Sequence, residues 1–194
     1  MPFAAQRECF TDFRRLDVVV TSKAKLDRLA EWSYIPFWQG VRLLFSRSLP
    51  ITQLLSQTWP SPKPSFPSPY EFDEMVNDFW FKAMLAGYKV IRNDLLIALH
   101  LALDLVRDCC VVGMMIRDRG EGTNIYREGG VGNSVVADLE SACSTFAATG
   151  ILDIIEQSGV QFDQLAAHWF DTYRERRYPL MEWLRHIRRA LSVG

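Results

Sequence analysis

Residues 93–119, NDLLIALHLALDLVRDCCVVGMMIRDR, leave this chain few ways to fold. Leu95, Leu99, Leu103, Val106, Cys110 and Met114 recur at helical spacing, which predicts one long helix over the run. The run is apolar on most of its sides, and such a helix is expected in the middle of a bundle. His100, Asp104 and Arg107 lie at i, i+4 and i+7 and so share one stripe of it. Buried polar groups without partners are costly, so the stripe is expected as a satisfied core network or as the wall of a pocket.

The rest of the chain decides what can surround that helix. With 194 residues, 48% of them hydrophobic, it can bury one good core, or one domain and a fragment of a second. A net charge of -1 gives no electrostatic case for nucleic acid or an acidic membrane surface. Cys9, Cys109, Cys110 and Cys143 form no C-x-x-C pair and no metal-type spacing with the histidines, which suggests buried thiols in a reducing compartment. MPFAAQRECF has no basic region followed by an apolar run, and charges at Asp104, Arg107 and Asp108 break the most apolar window. The expectation is a soluble cytoplasmic protein with no membrane segment; a homodimer stays open.

Before the long helix, residues 14–20 (RRLDVVV) read as a strand carrying Asp17. Thr21 or Ser22 caps a short helix over 23–32, residues 41–46 (VRLLFS) form a second strand, and Pro50 opens a helix over 51–59. Strand, helix, strand, helix in so short a span suggests part of an α/β unit, too small to cover both faces of a sheet. Residues 59–69 hold five prolines and read as a linker. At its end Ser68 and Glu71 form a capping box with Pro69 at the first helical position, predicting a helix to Ile91. Asn93 and Asp94 break it before the long helix.

Residues 120–134 form a loop with five glycines, followed by a short helix over VVADLESAC. Another amphipathic helix starts at Thr145 or Thr149, its apolar residues including Ile151, Ile155, Phe162 and Trp169, with Gly159 interrupting its pattern. Asp171 caps a last helical segment that Pro179 starts or kinks. Domains are therefore expected at residues 1–58, a linker at 59–69, and a helical bundle at 70–194.

Several residues could carry chemistry, each with a plainer explanation beside it. Asp17 could be a base or metal ligand, or simply an edge-strand aspartate. The Gly129–Gly132 region precedes a helix but follows no strand, which favours a flexible loop over a phosphate cradle. Asp138 and Glu140 resemble a metal pair, yet on a helix they diverge by about 200°. His100 and Asp104, one turn apart, could act as a base or an acidic grip for a cation, or as a satisfied network. The C-terminal arginines, interleaved with Glu175 and Glu182, suit a solvated helix face. Trp80, Trp169 and Trp183 could stack a ring but sit at core spacing.

The run from Val76 to Arg119 resembles the helical C-terminal domain of aminoglycoside (streptomycin) 6-adenylyltransferases: an aspartate-Phe-Trp helix, a charged break, then a long helix with an inner acidic residue. The glycine loop and the closing WLRHIRRA helix also fit that family. Residues 10–48 resemble the end of its nucleotidyltransferase domain, where a strand like RRLDVVV carries the third active-site carboxylate. The fold this implies is mainly α: a helical bundle preceded by a partial α/β nucleotidyltransferase-type unit.

The resemblance implies AMP transfer from ATP, with Mg²⁺, to a hydroxyl of a cationic aminosugar. It would make Asp17 and Asp104 catalytic, with Asp17 also a metal ligand, and Asp78, Trp80 and His100 substrate-binding. One departure stands out. The family's Gly-Ser turn and following D-x-D strand, which hold phosphates and metal, have no counterpart in the sequence. The chain is therefore expected to be an N-terminally truncated member, incomplete or inactive by itself. The alternative is a non-catalytic helical interaction module, such as a toxin–antitoxin partner. A helical RNase is disfavoured, because no arginine stands five to seven residues before His100, His168 or His186.

Overall fold

A computed structural model of the chain describes residues 4–9, 15–20, 22, 65–122, 132–139 and 146–193. The chain divides into two compact units, Met1–Pro62 and Lys63–Gly194. In the first unit, strands β1 (Ala4–Cys9) and β2 (Arg15–Val20) pair antiparallel, with Ala4 opposite Val20 and Arg7 opposite Asp17. β2 falls on the predicted RRLDVVV strand, whereas the sequence reading placed no strand over AAQREC. The predicted strand over 41–46 and the helices over 23–32 and 51–59 lie outside the described residues.

The described secondary structure of the second unit is all helical: α1 (Pro69–Ile91), α2 (Leu95–Glu121), α3 (Asn133–Leu139), α4 (Ala148–Trp169) and α5 (Arg177–Val193). The molecule is mainly α. α1 begins where the capping box predicts. The Ser68 hydroxyl accepts from the Glu71 backbone N–H, and the Glu71 carboxylate takes the Ser68 N–H at 2.7 Å. Pro69 stands at the first helical position, where a missing N–H costs nothing.

A tight turn then reverses the chain. Asn93 adopts a left-handed conformation, φ 55°, which asparagine tolerates better than most residues. The Asp94 N–H bonds the Lys89 carbonyl at 2.9 Å, closing the turn so that α2 runs back along α1. α2 ends at Gly122, also left-handed with φ 67°.

The core lies among α1, α2, α4 and α5. At its centre the rings of Phe79 and Phe162 stack with centroids 3.7 Å apart. Leu105, Ile151, Ile155 and Leu184 are fully buried in the same cluster.

All-round burial of α2 is corrected by this packing. Its buried face is Ala98, Ala102, Leu105, Cys109, Val112 and Gly113. Small residues let the neighbouring helices approach closely; a Cβ on Gly113 would meet Val135 at 3.0 Å. The bulkier stripe that signalled the helix lies to one side of this face. Leu103 is 48% exposed and Met114 46%. The polar stripe is not buried either: His100 and Arg107 are exposed, and Asp104 is half-buried. It sits at the edge of the bundle, where water satisfies what protein does not.

Two helix starts bear on the expectations for this half of the chain. α4 starts at Ala148, one residue before Thr149, and its N-cap Ala147 offers no side-chain hydrogen bond. Pro179 falls in the first turn of α5, so it opens that helix rather than kinking a longer one. The cap of α5 is not Asp171. The buried Asp163 carboxylate on α4 accepts the N–H groups of Arg176 and Arg177, both at 3.1 Å. Gly159 also acquires a reason: a Cβ there would meet Met181 at 3.1 Å and Trp80 at 3.6 Å.

Candidate functional site

The antiparallel α1–α2 hairpin fixes which side chains meet along its seam. Asp78 and Lys82 are one turn apart on α1, and Asp104 and Asp108 one turn apart on α2. The turn at Asn93 sets Lys82 opposite Asp108, and the two form an ion pair and hydrogen bond. Lys82 Nζ also reaches Asp78 at 2.9 Å. Arg107 bridges the remaining pair, 3.2 Å from Asp108 and 3.3 Å from Asp104. The result is a chain of alternating charge, Asp78–Lys82–Asp108–Arg107–Asp104, with three carboxylates against two cations.

The two cations sit differently. Burial alone would push the Lys82 ammonium down; its hydrogen bonds to Asp108 and Asp78 outweigh that and hold it above the usual lysine range. Arg107 is exposed, so its ion pairs add little stability and break readily. A cationic ligand could therefore displace Arg107 from Asp104 at small cost, and displace Lys82 from Asp108 only at a larger one.

The sequence-predicted residues are only partly gathered here. Asp78 and Asp104 belong to the same seam, linked through Asp108. His100 lies one turn before Asp104 on the same side of α2, about 6 Å along the axis. Trp80, two residues from Asp78, points about 200° away around α1. Its indole N–H donates to the Tyr173 hydroxyl at 3.3 Å, and its ring packs edge-on against Phe79 and Phe162. It faces α4 and α5, not the acidic seam. Asp17 stands on β2 opposite Arg7, in the Met1–Pro62 unit.

Asp108 and Lys82 are the members that sequence reasoning missed. The i, i+4 spacings of Asp78 with Lys82 and of Asp104 with Asp108 were the available signal. Which α1 residue faces which α2 residue depends on the turn, and no pattern within either helix announces that.

A model of the streptomycin adenylyltransferase family matches residues 7–117, more than half of the chain. The chain belongs to that family. The match takes in β2 with Asp17, all of α1, and α2 as far as Arg117, so the acidic seam lies wholly within it. The helices α3, α4 and α5 lie beyond the matched residues. No curated protein matches the chain.

A streptomycin adenylyltransferase-type reaction implies ATP and a divalent metal. The described residues do not offer a metal site: no group of three or more His, Cys, Asp or Glu side chains among them is placed to hold an ion. In the seam, Lys82 and Arg107 already stand between the carboxylates. A metal there would have to expel a half-buried lysine that is hydrogen-bonded to two of them. No catalytic step is drawn through a metal at the seam.

Proposed function

We propose that this chain takes part in adenylyl transfer from ATP to a hydroxyl of a cationic aminosugar, with the α1–α2 seam as the grip for the cation. The single observation that carries this reading is the family match over residues 7–117. Asp104 and Asp78 supply the negative charge, with His100 at the rim one turn from Asp104. Arg107 acts as an internal stand-in for the ligand's cation, leaving Asp104 when the aminosugar arrives. Trp80 holds α1 against α4 through Tyr173, so its part is to fix the wall rather than to touch the sugar. Asp17 on β2 is the proposed catalytic carboxylate and metal ligand.

The proposal does not ask this sequence to hold the metal unaided. It contains neither a Gly-Ser turn nor a D-x-D pair. Adenylyl transfer of this type needs two carboxylates on the metal and phosphate donors beside them. The second carboxylate and the phosphate donors are not assigned to residues of this sequence.

The test is titration calorimetry of the purified chain with streptomycin at low and high salt. Binding should weaken with salt, because it rests on charge. Asp104→Asn and Asp78→Asn should each weaken it about tenfold, corresponding to about 1.4 kcal/mol per site. Binding that ignores both substitutions, or no heat at any concentration, refutes the seam as the grip.

A further inference from the structure

Three helices converge on a cleft away from the carboxylate seam. Its volume is about 340 Å³, and it lies among the second half of α2, the short α3 and the C-terminal half of α4. That is at the lower end of the size range of small-molecule sites, roughly 300–1,000 Å³. On α4, Gln161, Gln164, Leu165 and His168 line it at i, i+3, i+4 and i+7, one stripe of that helix. Leu165, with Ile116 of α2 and Val135 of α3, makes its apolar lining.

Gln161 sets the chemistry. It is only 4% exposed, and its Nε2 donates to Asp138 Oδ2 at 3.1 Å. Its carbonyl oxygen accepts no hydrogen bond. That oxygen is not sealed away either: among the described residues, the buried side-chain atoms without a partner are Ser158 Oγ and Trp169 Nε1. A buried amide normally uses its oxygen as well as its nitrogen, so an acceptor stands open at the cleft. Asp138 is exposed and supplies a second acceptor beside it, since its Oδ1 takes no hydrogen bond. The Gln157 amide, donating to the Asp138 backbone carbonyl at 2.9 Å, holds this residue against α4 as well.

The charge of the cleft follows from who is paired. The guanidinium of Arg117 gives Nε and Nη2 to Asp118 Oδ1, at 2.9 and 2.7 Å, which offsets its charge. Asp138 forms no ion pair. The lining therefore carries one uncompensated carboxylate next to one open amide oxygen.

We infer that this cleft binds a primary ammonium group on a small organic molecule, the nitrogen donating to Asp138 Oδ1 and Gln161 Oε1. An ammonium has three donors, so these two acceptors leave one for Ser134 or Gln164 at the rim. Charge assistance strengthens the bond to the carboxylate. The carbon skeleton lies on Ile116, Val135 and Leu165. A metal ion is poorly served, because two oxygens are too few ligands for it. The cleft shares no residue with the carboxylate seam, and α3 and α4 lie beyond the family match.

Three probes with the same ring isolate the charge: glucosamine, neutral glucose and anionic glucuronate. Each is titrated into full-length chain labelled at its isoleucine methyl groups, and the Ile116 signal is followed by NMR. Glucosamine should move it with at least tenfold tighter binding than glucose, and glucuronate should leave it unmoved. Butylamine, an ammonium without hydroxyls, separates the two sources of such a group. Affinity equal to that of glucosamine assigns the site to aliphatic amines, and weaker affinity assigns it to aminosugars. Asp138→Asn keeps an acceptor for Gln161 and should bring glucosamine down to the level of glucose. Raising the pH until the amine is neutral should do the same with the protein unaltered, so the inference stays testable if the variant misfolds. Glucose binding as tightly as glucosamine, glucuronate binding tightest, an Ile116 signal that no amine moves, or a response lost in Asp104→Asn but kept in Asp138→Asn overturns it.

Discussion

Replacing Asp163 should unlatch α5 from the bundle. The carboxylate is 1% exposed and accepts three hydrogen bonds: from the Tyr173 hydroxyl at 2.5 Å and from the N–H groups of Arg176 and Arg177, both at 3.1 Å. It thus caps α5 from another helix and, through Tyr173, connects to the indole of Trp80 on α1. Asp163→Ala strips three donors of their acceptor at once. Each unsatisfied buried donor costs about 1–3 kcal/mol, and the two backbone donors, near the surface, relax toward water and fall at the low end. The sum is about 3–5 kcal/mol, the range also found when one partner of a buried charged cluster is removed. Asp163→Asn keeps one carbonyl oxygen and should cost about half as much. Urea unfolding followed by far-UV circular dichroism reads both. In a double-mutant cycle with Tyr173→Phe the losses should be non-additive by more than about 0.5 kcal/mol, because the two groups share one bond. If Asp163→Ala costs less than about 1 kcal/mol, or if alanine and asparagine are equal, the carboxylate is not the latch and the reasoning fails.

Three further outcomes follow from local geometry. Burial, and then the Asp163 carboxylate, push the Tyr173 phenol well above its usual value. Its folded-state pKa is raised, so its contribution is fully present below pH about 10 and is lost as the pH rises through the folded value. In an alkaline absorbance titration, one of the six tyrosines should ionise only with unfolding, and Tyr173→Phe should abolish that late step. Gly87→Ala would gain up to about 1 kcal/mol of helix propensity but drives a Cβ into the Trp183 ring, so a net loss of about 1–2 kcal/mol is expected in thermal melts. Trp183→Leu in the same chain should reverse the sign. Burial pushes the Cys109 thiol far up, while its S–H donates to the Ser158 carbonyl at 3.4 Å. An alkylating reagent followed by mass spectrometry should therefore label the half-buried Cys110 well before Cys109.

Much of the helical unit was legible because its signals are local. Ser68, Pro69 and Glu71 predict the start of α1 through chemistry confined to four residues, and the structure has that cap. Asn93 and Asp94 mark the turn for the same reason. The failures are tertiary. Periodicity finds α2 but not its inner face, because leucines signal a helix whereas Ala98, Ala102 and Gly113 decide where neighbours can approach. Asp171 is a plausible local cap, yet α5 takes its cap from Asp163 on α4. No rule about adjacent residues reaches from Asp163 to Arg177.

The acidic seam shows the same division within one site. Asp78 and Asp104 were visible as acidic residues on successive helices, but Lys82 and Arg107 change what those carboxylates can do. Unaccompanied, Asp78, Asp104 and Asp108 would be an anionic cluster suited to a metal. Interleaved with two cations, they become a nearly balanced row in which the exposed Arg107 is the weak member. A ligand bearing guanidinium or ammonium groups can replace Arg107 charge for charge, which preserves the balance. A divalent ion in the place of Arg107 would also balance the row, but it needs several oxygen ligands, and Lys82 already engages the carboxylates of Asp78 and Asp108. The seam is therefore better matched to an organic cation than to a metal.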